Sequence, residues 1–216
     1  MNLLSIALVS VGVGVFSAGV AARFVPELPI ASSAALWAGL AIAVFAAFTR
    51  GRPAGLLRFR LTDILWGVGL GLIARFAQGI LAGANSTAFP ISPELQRGEM
   101  WLWAWQTAVP AGFVGPVLEE SFFRAVVLVS VYQLLRRSIG PVAGACAALF
   151  TSAFGFMALH LLFAPLEVVD SVSLLVLGTL AGLLVLLTGR LWGAVILHSV
   201  YNLAYLSLVV LSAIPQ

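Results

Sequence analysis

The sequence predicts an all-α fold, a polytopic transmembrane helical bundle of about seven to eight helices, since each crossing consumes about 20 apolar residues. Three observations predict it. Of the 216 residues, 62% are hydrophobic and only 9% charged, where a soluble domain carries about 25% charged residues. The apolar residues come in unbroken runs rather than alternating with polar ones, which disfavours a β-barrel. The basic residues are 11 arginines and no lysine, gathered mostly between the runs, as membrane-flanking loops require. The same figures exclude an ordinary soluble enzyme and a disordered chain. A net charge of +3 makes no phosphate-binding stripe, so nucleic acid is excluded as a partner.

The spans follow in order. Residues 3–22 carry no charge and form the first. Met1-Asn2-Leu3-Leu4 lacks a positive n-region, so the run reads as a retained span rather than a cleaved signal peptide. Arg23 to Pro29 is a loop broken by Pro26 and Pro29. Residues 30–48 form the second span, and Thr49 to Arg60, with Arg50, Arg52, Arg58, Arg60 and Pro53, is the most basic loop. The third span, 61–83, is interrupted by Arg75 and Gln78, and a polar loop closes this N-terminal region, 1–99, of about three spans.

Region 100–216 is predicted to pack with it as one membrane domain. Residues 100–115 open with Trp101, Trp103 and Trp105, which suit the headgroup level. At 16 residues this piece either crosses or lies as a half-helix. Pro116 suits the first turn of a helix over 117–135, ended by Arg136 and Arg137. Apolar runs 139–163 and 171–188 are split by Pro165, Glu167 and Asp170. Gly189-Arg190 is a tight turn before the last span, 191–213. Small residues spaced by four, at Gly67/Gly71, Gly79/Gly83, Gly140/Gly144 and Gly178/Gly182, are expected to let helix backbones approach. The lone Cys146 allows no intramolecular disulfide and is expected to be a buried thiol.

Polar groups within the spans carry the functional information. A charge at the bilayer centre costs about 2.5–3.5 kcal/mol on the insertion scale, so each needs a reason. Arg75, Glu119, Glu120, Arg124, His160, His198 and Asn202 are the candidates. Glu120 and Arg124 are i,i+4 on one helix face and neutralise each other. Glu119 is rotated about 100° away and is left free, a competent general base or acid. Both histidines of the chain lie in apolar runs. His198 and Asn202 share a face and must turn to the bundle interior. They read either as two donors for a developing oxyanion or as an interhelical polar clasp. Glu119, His160 and His198 would equally suit a divalent metal. Arg75 finds no partner in the sequence pattern.

These residues resemble a known family, the CPBP (CAAX prenyl protease and bacteriocin-processing, or Abi) intramembrane glutamic proteases. That family carries E-E-x-x-x-R, F-x-x-x-H and H-x-x-x-N/D on three helices in that order. Here they stand as Glu119-Glu120…Arg124, Phe156…His160 and His198…Asn202. The resemblance covers roughly 100–210 and makes 100–216 the catalytic core. It implies an endopeptidase in which Glu119 activates water, His160 positions it, and His198 and Asn202 stabilise the oxyanion. Glu120 and Arg124 would hold the first helix, and Phe156 would pack beside the site. The implied substrate is a membrane-embedded or lipid-anchored peptide or protein. The implied location is the bilayer, as an integral protein of a prokaryotic cytoplasmic (inner) membrane. The family was first taken for zinc proteases and is now usually viewed as metal-free. The resemblance therefore implies no required cofactor, with zinc on Glu119, His160 and His198 as the alternative. Ala125 stands where many members have Gly, which bears on packing.

A proton-coupled transporter could use the same buried groups, but no inverted repeat is visible. A non-catalytic scaffold or immunity protein would not need all three motifs. Orientation depends on 100–115. If it does not span by itself, the arginines of 49–60, 136–137 and Arg190 all face the cytoplasm, and the Glu119 and His160 ends lie outside. If it spans, those ends face the cytoplasm.

Overall fold

The computed structural model describes residues 3–51, 55–163 and 166–213, which form eight helices and no strand. They are α1 (Leu3–Phe24), α2 (Pro29–Arg50), α3 (Leu61–Leu81), a short α4 (Pro93–Gln96), α5 (100–135), α6 (Pro141–Leu161), α7 (Val168–Thr188) and α8 (Trp192–Ser212). α1, α2, α3, α6, α7 and α8 are each, by length and composition, long and apolar enough to cross a bilayer. Breakers end them where the sequence places them. Gly189, at φ +66°, caps α7 in the left-handed region, which a glycine enters without steric cost.

α5 departs from the expectation of two pieces meeting at Pro116. The chain is helical through 100–135, with wide π turns at Ala104–Ala108, Pro110–Val114 and Ser121–Leu128. Proline lacks an N–H and clashes with the carbonyl four residues back. A π turn moves the acceptor to five residues back, and Gly115 N–H accordingly reaches Pro110 O. Pro110 and Pro116 are thereby absorbed rather than ending the helix. The tryptophan segment and the glutamate segment form one rod of roughly 54 Å at 1.5 Å per residue. Residues 100–115 are not a separate span. Of its tryptophans, Trp101 and Trp105 are exposed, but Trp103 is buried with Leu95, Leu206 and Val209.

Packing relies on backbone-to-backbone approach. A Cβ on Gly39 would stand 2.5 Å from Ser10 O, which seats α2 on α1. On Gly71 it would stand 2.7 Å from Leu197 O, which seats α3 on α8. Gly67 and Gly178 pack similarly, whereas Gly79 and Gly83 sit near the α3 end with no helix pressed on them. Four-residue spacing alone does not separate a packing glycine from a turn glycine. Asp63, buried in the first turn of α3, accepts from Arg60 N at 2.8 Å and from Arg190 Nη2 at 2.6 Å and Nε at 2.9 Å. With Leu191 N donating to Leu56 O at 2.8 Å, this ties α3 to the α7–α8 turn.

Large apolar side chains cover the outside, among them Leu8, Phe16, Phe45, Phe76 and Leu187, while Glu120, Arg124, Asp63 and His198 are buried. This inversion is what a lipid solvent permits. It also corrects the expectation for Cys146, which is exposed on the outer face of α6. An apolar run in a bundle has a lipid-facing side as apolar as its interior, so hydropathy does not bury a particular thiol.

Close approach predicts a paired outcome on one helix. Gly71→Ala must overpack against Leu197 O, at a cost of about 1–3 kcal/mol. Gly69→Ala meets nothing within 4 Å. Thermal melting in detergent is expected to fall for Gly71→Ala and to hold for Gly69→Ala; equal melting points would refute this account of the α3–α8 seam.

Candidate active site

The site is built on α5. Adjacent residues on a helix point about 100° apart, so Glu119 and Glu120 enter different surroundings. Glu120 is fully buried. Its Oε2 lies 2.9 Å from Arg124 Nε one turn on, and its Oε1 lies 3.0 Å from His198 Nδ1 on α8. The Arg124 N–H is not aimed along that short contact, and its Nη atoms find no acceptor among the described residues. The guanidinium is a charge partner lodged against aromatic faces, its Cζ 5.0 Å from the Phe156 ring centroid and 5.8 Å from that of Phe123. Buried charges require such compensation.

Glu119 turns the other way. Trp37 Nε1 of α2 donates to its Oε1 at 3.3 Å. His160 Nε2 of α6 stands 3.7 Å from its Oε2. His160 Nδ1 lies 2.9 Å from Phe156 O. A carbonyl only accepts, so Nδ1 carries the proton and Nε2 is the nitrogen that faces Glu119. At 3.7 Å the pair is too far apart for a direct hydrogen bond, and a water about 2.8 Å from each atom can touch both. Phe156 packs between the two imidazoles, its centroid 4.6 Å from that of His160 and 5.3 Å from that of His198.

Asn202 Nδ2 donates to Ala111 O at 2.8 Å. The reason lies in the π turn. Ala111 O would take the N–H of residue 116, which is proline, and the N–H of Gly115 is already on Pro110 O. The α8 amide satisfies a carbonyl that α5 cannot. Asn202 is thus a clasp between α5 and α8, and its second amide hydrogen stays available.

Glu119, His160, His198 and Asn202 line one cleft of about 570 Å³. A smaller recess of about 250 Å³ reaches Glu119 and His160 from between α2 and α6, past Ser33 and Phe163. Glu120 and Arg124 stand behind this wall. Glu119, His160 and His198 do not converge as metal ligands. Among the described residues no group of three or more His, Cys, Asp or Glu is placed to hold an ion, and His198 Nδ1 is turned to Glu120.

One residue of the cleft escaped sequence reasoning, and a second was seen without its partners. Trp37 is one more apolar residue on an apolar span, and its contact lies 82 residues away. Arg75 was visible as an anomaly, and its partners were not. Its Nε donates to Tyr201 O at 2.8 Å, its Nη1 bonds the Gln78 side chain, and Gln78 Nε2 donates to Asp170 Oδ1 at 2.9 Å. Its Cζ lies 3.6 Å over the Tyr201 ring.

The sequence profile of the Rce1-like type II CAAX prenyl endopeptidases matches residues 101–204. That stretch holds all three motifs on which the resemblance to CPBP proteases rests. No curated protein and no solved structure gives a significant match. Over residues 101–204, just under half of the chain, the protein is similar to the Rce1-like type II CAAX prenyl endopeptidases, which together with its long apolar helices supports an integral membrane protease.

Proposed function

We propose that the protein is an intramembrane endopeptidase that hydrolyses a peptide bond in a prenylated or otherwise membrane-associated protein, with water activated by Glu119. The observation that carries this is the pairing of a cleft-facing carboxylate with an imidazole of fixed tautomer, 3.7 Å apart. Glu119 Oε2 accepts a proton from a water that also touches His160 Nε2, and the water oxygen bonds to the carbonyl carbon. The C=O electron pair moves to oxygen. His198 Nε2–H and the second Asn202 N–H donate to that oxyanion, the kind of stabilisation that dominates acyl transfer. His198 is able to donate from Nε2 while its Nδ1–H is held by the Glu120 carboxylate, which compensates the imidazolium. The proton on Glu119 passes to the departing nitrogen, directly or through His160 Nε2, as the C–N bond breaks. Glu120 and Arg124 perform no step; they position His198 and the rotation of α5. The cycle is complete without a cofactor, and in this reading none is required.

The cleft is assigned to the outer side of the membrane. A continuous α5 crosses once, which puts Arg50, Arg58, Arg60, Arg136, Arg137 and Arg190 at one end of the bundle. The cleft opens toward the opposite end, where α3 and α6 finish and α7 begins. The arginine end is the cytoplasmic one by the positive-inside rule.

Glu119→Gln keeps the size and the Trp37 contact but cannot accept the proton. Cleavage of a prenylated CAAX peptide in proteoliposomes, followed by mass spectrometry, is expected to slow by about 10²–10⁴-fold, with thermal melting unchanged. A variant as fast as wild type would rule out the glutamate mechanism. For orientation, Ser138→Cys and Glu167→Cys are each placed in a Cys146→Ser background and treated with an impermeant maleimide on intact cells. Labelling is expected at position 167 and not at 138; the reverse pattern would place the cleft on the cytoplasmic side.

A further inference from the structure

Arg75 has no part in the proposed cycle, yet it lines the same cleft as Glu119. It comes from α3, outside the segment that matches the family. It is the only arginine lining the cleft among the described residues, and the chain has no lysine. An ionisable group inside a span is a functional candidate by default, and this one is built into place. Tyr201 O holds Nε at 2.8 Å, the Tyr201 ring lies flat beneath Cζ at 3.6 Å, and Gln78 holds Nη1. Asp170 does not close on the guanidinium; it bonds the far side of Gln78 at 2.9 Å. Nη2 has no hydrogen-bond partner among the described residues. A fixed planar fork with an open donor, in a cleft shielded by aromatic rings, matches a carboxylate better than any neutral group.

The position is also suited to a substrate end. Tyr201 is three residues from His198 on α8, so the carbonyl that holds the cation lies about one helical turn along that helix from the residue of the proposed oxyanion donor. An extended peptide advances about 3.3 Å per residue. A handful of residues therefore separates a bond beside Glu119 from a group on Arg75. We infer that Arg75 anchors the free C-terminal carboxylate of the substrate. This rests on the endopeptidase reading and adds to it a residue that recognises the substrate from outside the matched segment.

The test compares one prenylated CAAX peptide made as the free acid and as the C-terminal amide, with the full-length protein in proteoliposomes. Wild type is expected to cleave the acid at least about tenfold more efficiently, the difference residing in KM. Arg75→Gln is expected to bring the acid-to-amide ratio to about one, and Arg75→Lys to restore part of it. Equal cleavage of both peptides by wild type overturns the assignment, as it would if Arg75 served a lipid phosphate instead. A ratio that survives in Arg75→Gln overturns it too. If wild type cuts neither peptide, the endopeptidase reading fails, and binding decides Arg75 alone. Fluorescent acid and amide peptides are titrated onto Glu119→Gln protein with and without Arg75→Gln. Tighter binding of the acid only where Arg75 is present supports the anchor, and equal binding refutes it.

Discussion

The structure depends on one buried carboxylate. Glu120 is completely enclosed, and its two oxygens meet Arg124 Nε and His198 Nδ1. Removing one member of such a group leaves an uncompensated charge, at a cost of about 3–5 kcal/mol. Glu120 therefore fixes the rotation of α5 about its axis and the register of α5 against α8. Once that rotation is fixed, Glu119 has no choice but to face the cleft, where Trp37 and His160 receive it. The paired glutamates are one device: the inner carboxylate sets the angle at which the outer one is presented.

The prolines of α5 work to the same end. Pro110 and Pro116 forbid regular α-hydrogen bonding across the stretch just before the glutamates, and the π turns accept this by widening the helix. The freed Ala111 carbonyl is then taken by Asn202. That bond and the Glu120–His198 bond are four residues apart on α8, so two polar contacts on one face lock α8 to α5. Asn202 need not choose between clasp and donor, because its amide nitrogen carries two hydrogens. A backbone defect in one helix is what brings a side-chain donor from another to the cleft.

What was legible in the sequence is what depends on local geometry. The Glu120–Arg124 pairing and the divergence of Glu119 follow from 3.6 residues per turn, with no knowledge of neighbours. The spans follow from composition. The unity of α5 did not, because proline reads as a breaker unless the surrounding backbone can shift its hydrogen bonds, which depends on α8. Arg75 announced itself by charge, and Gln78 stands one helical turn from it, but the backbone carbonyl on α8 and the reach of Gln78 to Asp170 on α7 leave no periodic signal. Trp37 and Cys146 were illegible for a different reason. With lipid outside and apolar packing inside, hydropathy assigns a residue to a span without saying which way it points.

The two ends of the bundle are chemically unlike, and this bears on how a hydrolase works inside an apolar phase. At one end Asp63 and Arg190 close the α3 to α7–α8 junction among the arginines. At the other end the polar groups are held by partners that leave an edge facing the cleft. Glu119 keeps an oxygen toward His160, Asn202 keeps a hydrogen, and Arg75 keeps Nη2. Such polar groups favour water more than the lipid-facing leucines and phenylalanines do, and on the proposed reading the reactant of hydrolysis enters from the end where α6 finishes and α7 begins. On the proposed reading, an apolar lipid tail on the substrate gains nothing from those polar groups and remains favourable in the bilayer. On that reading, polar groups on the floor beside an apolar rim let an extended peptide end enter while its anchor stays in the membrane.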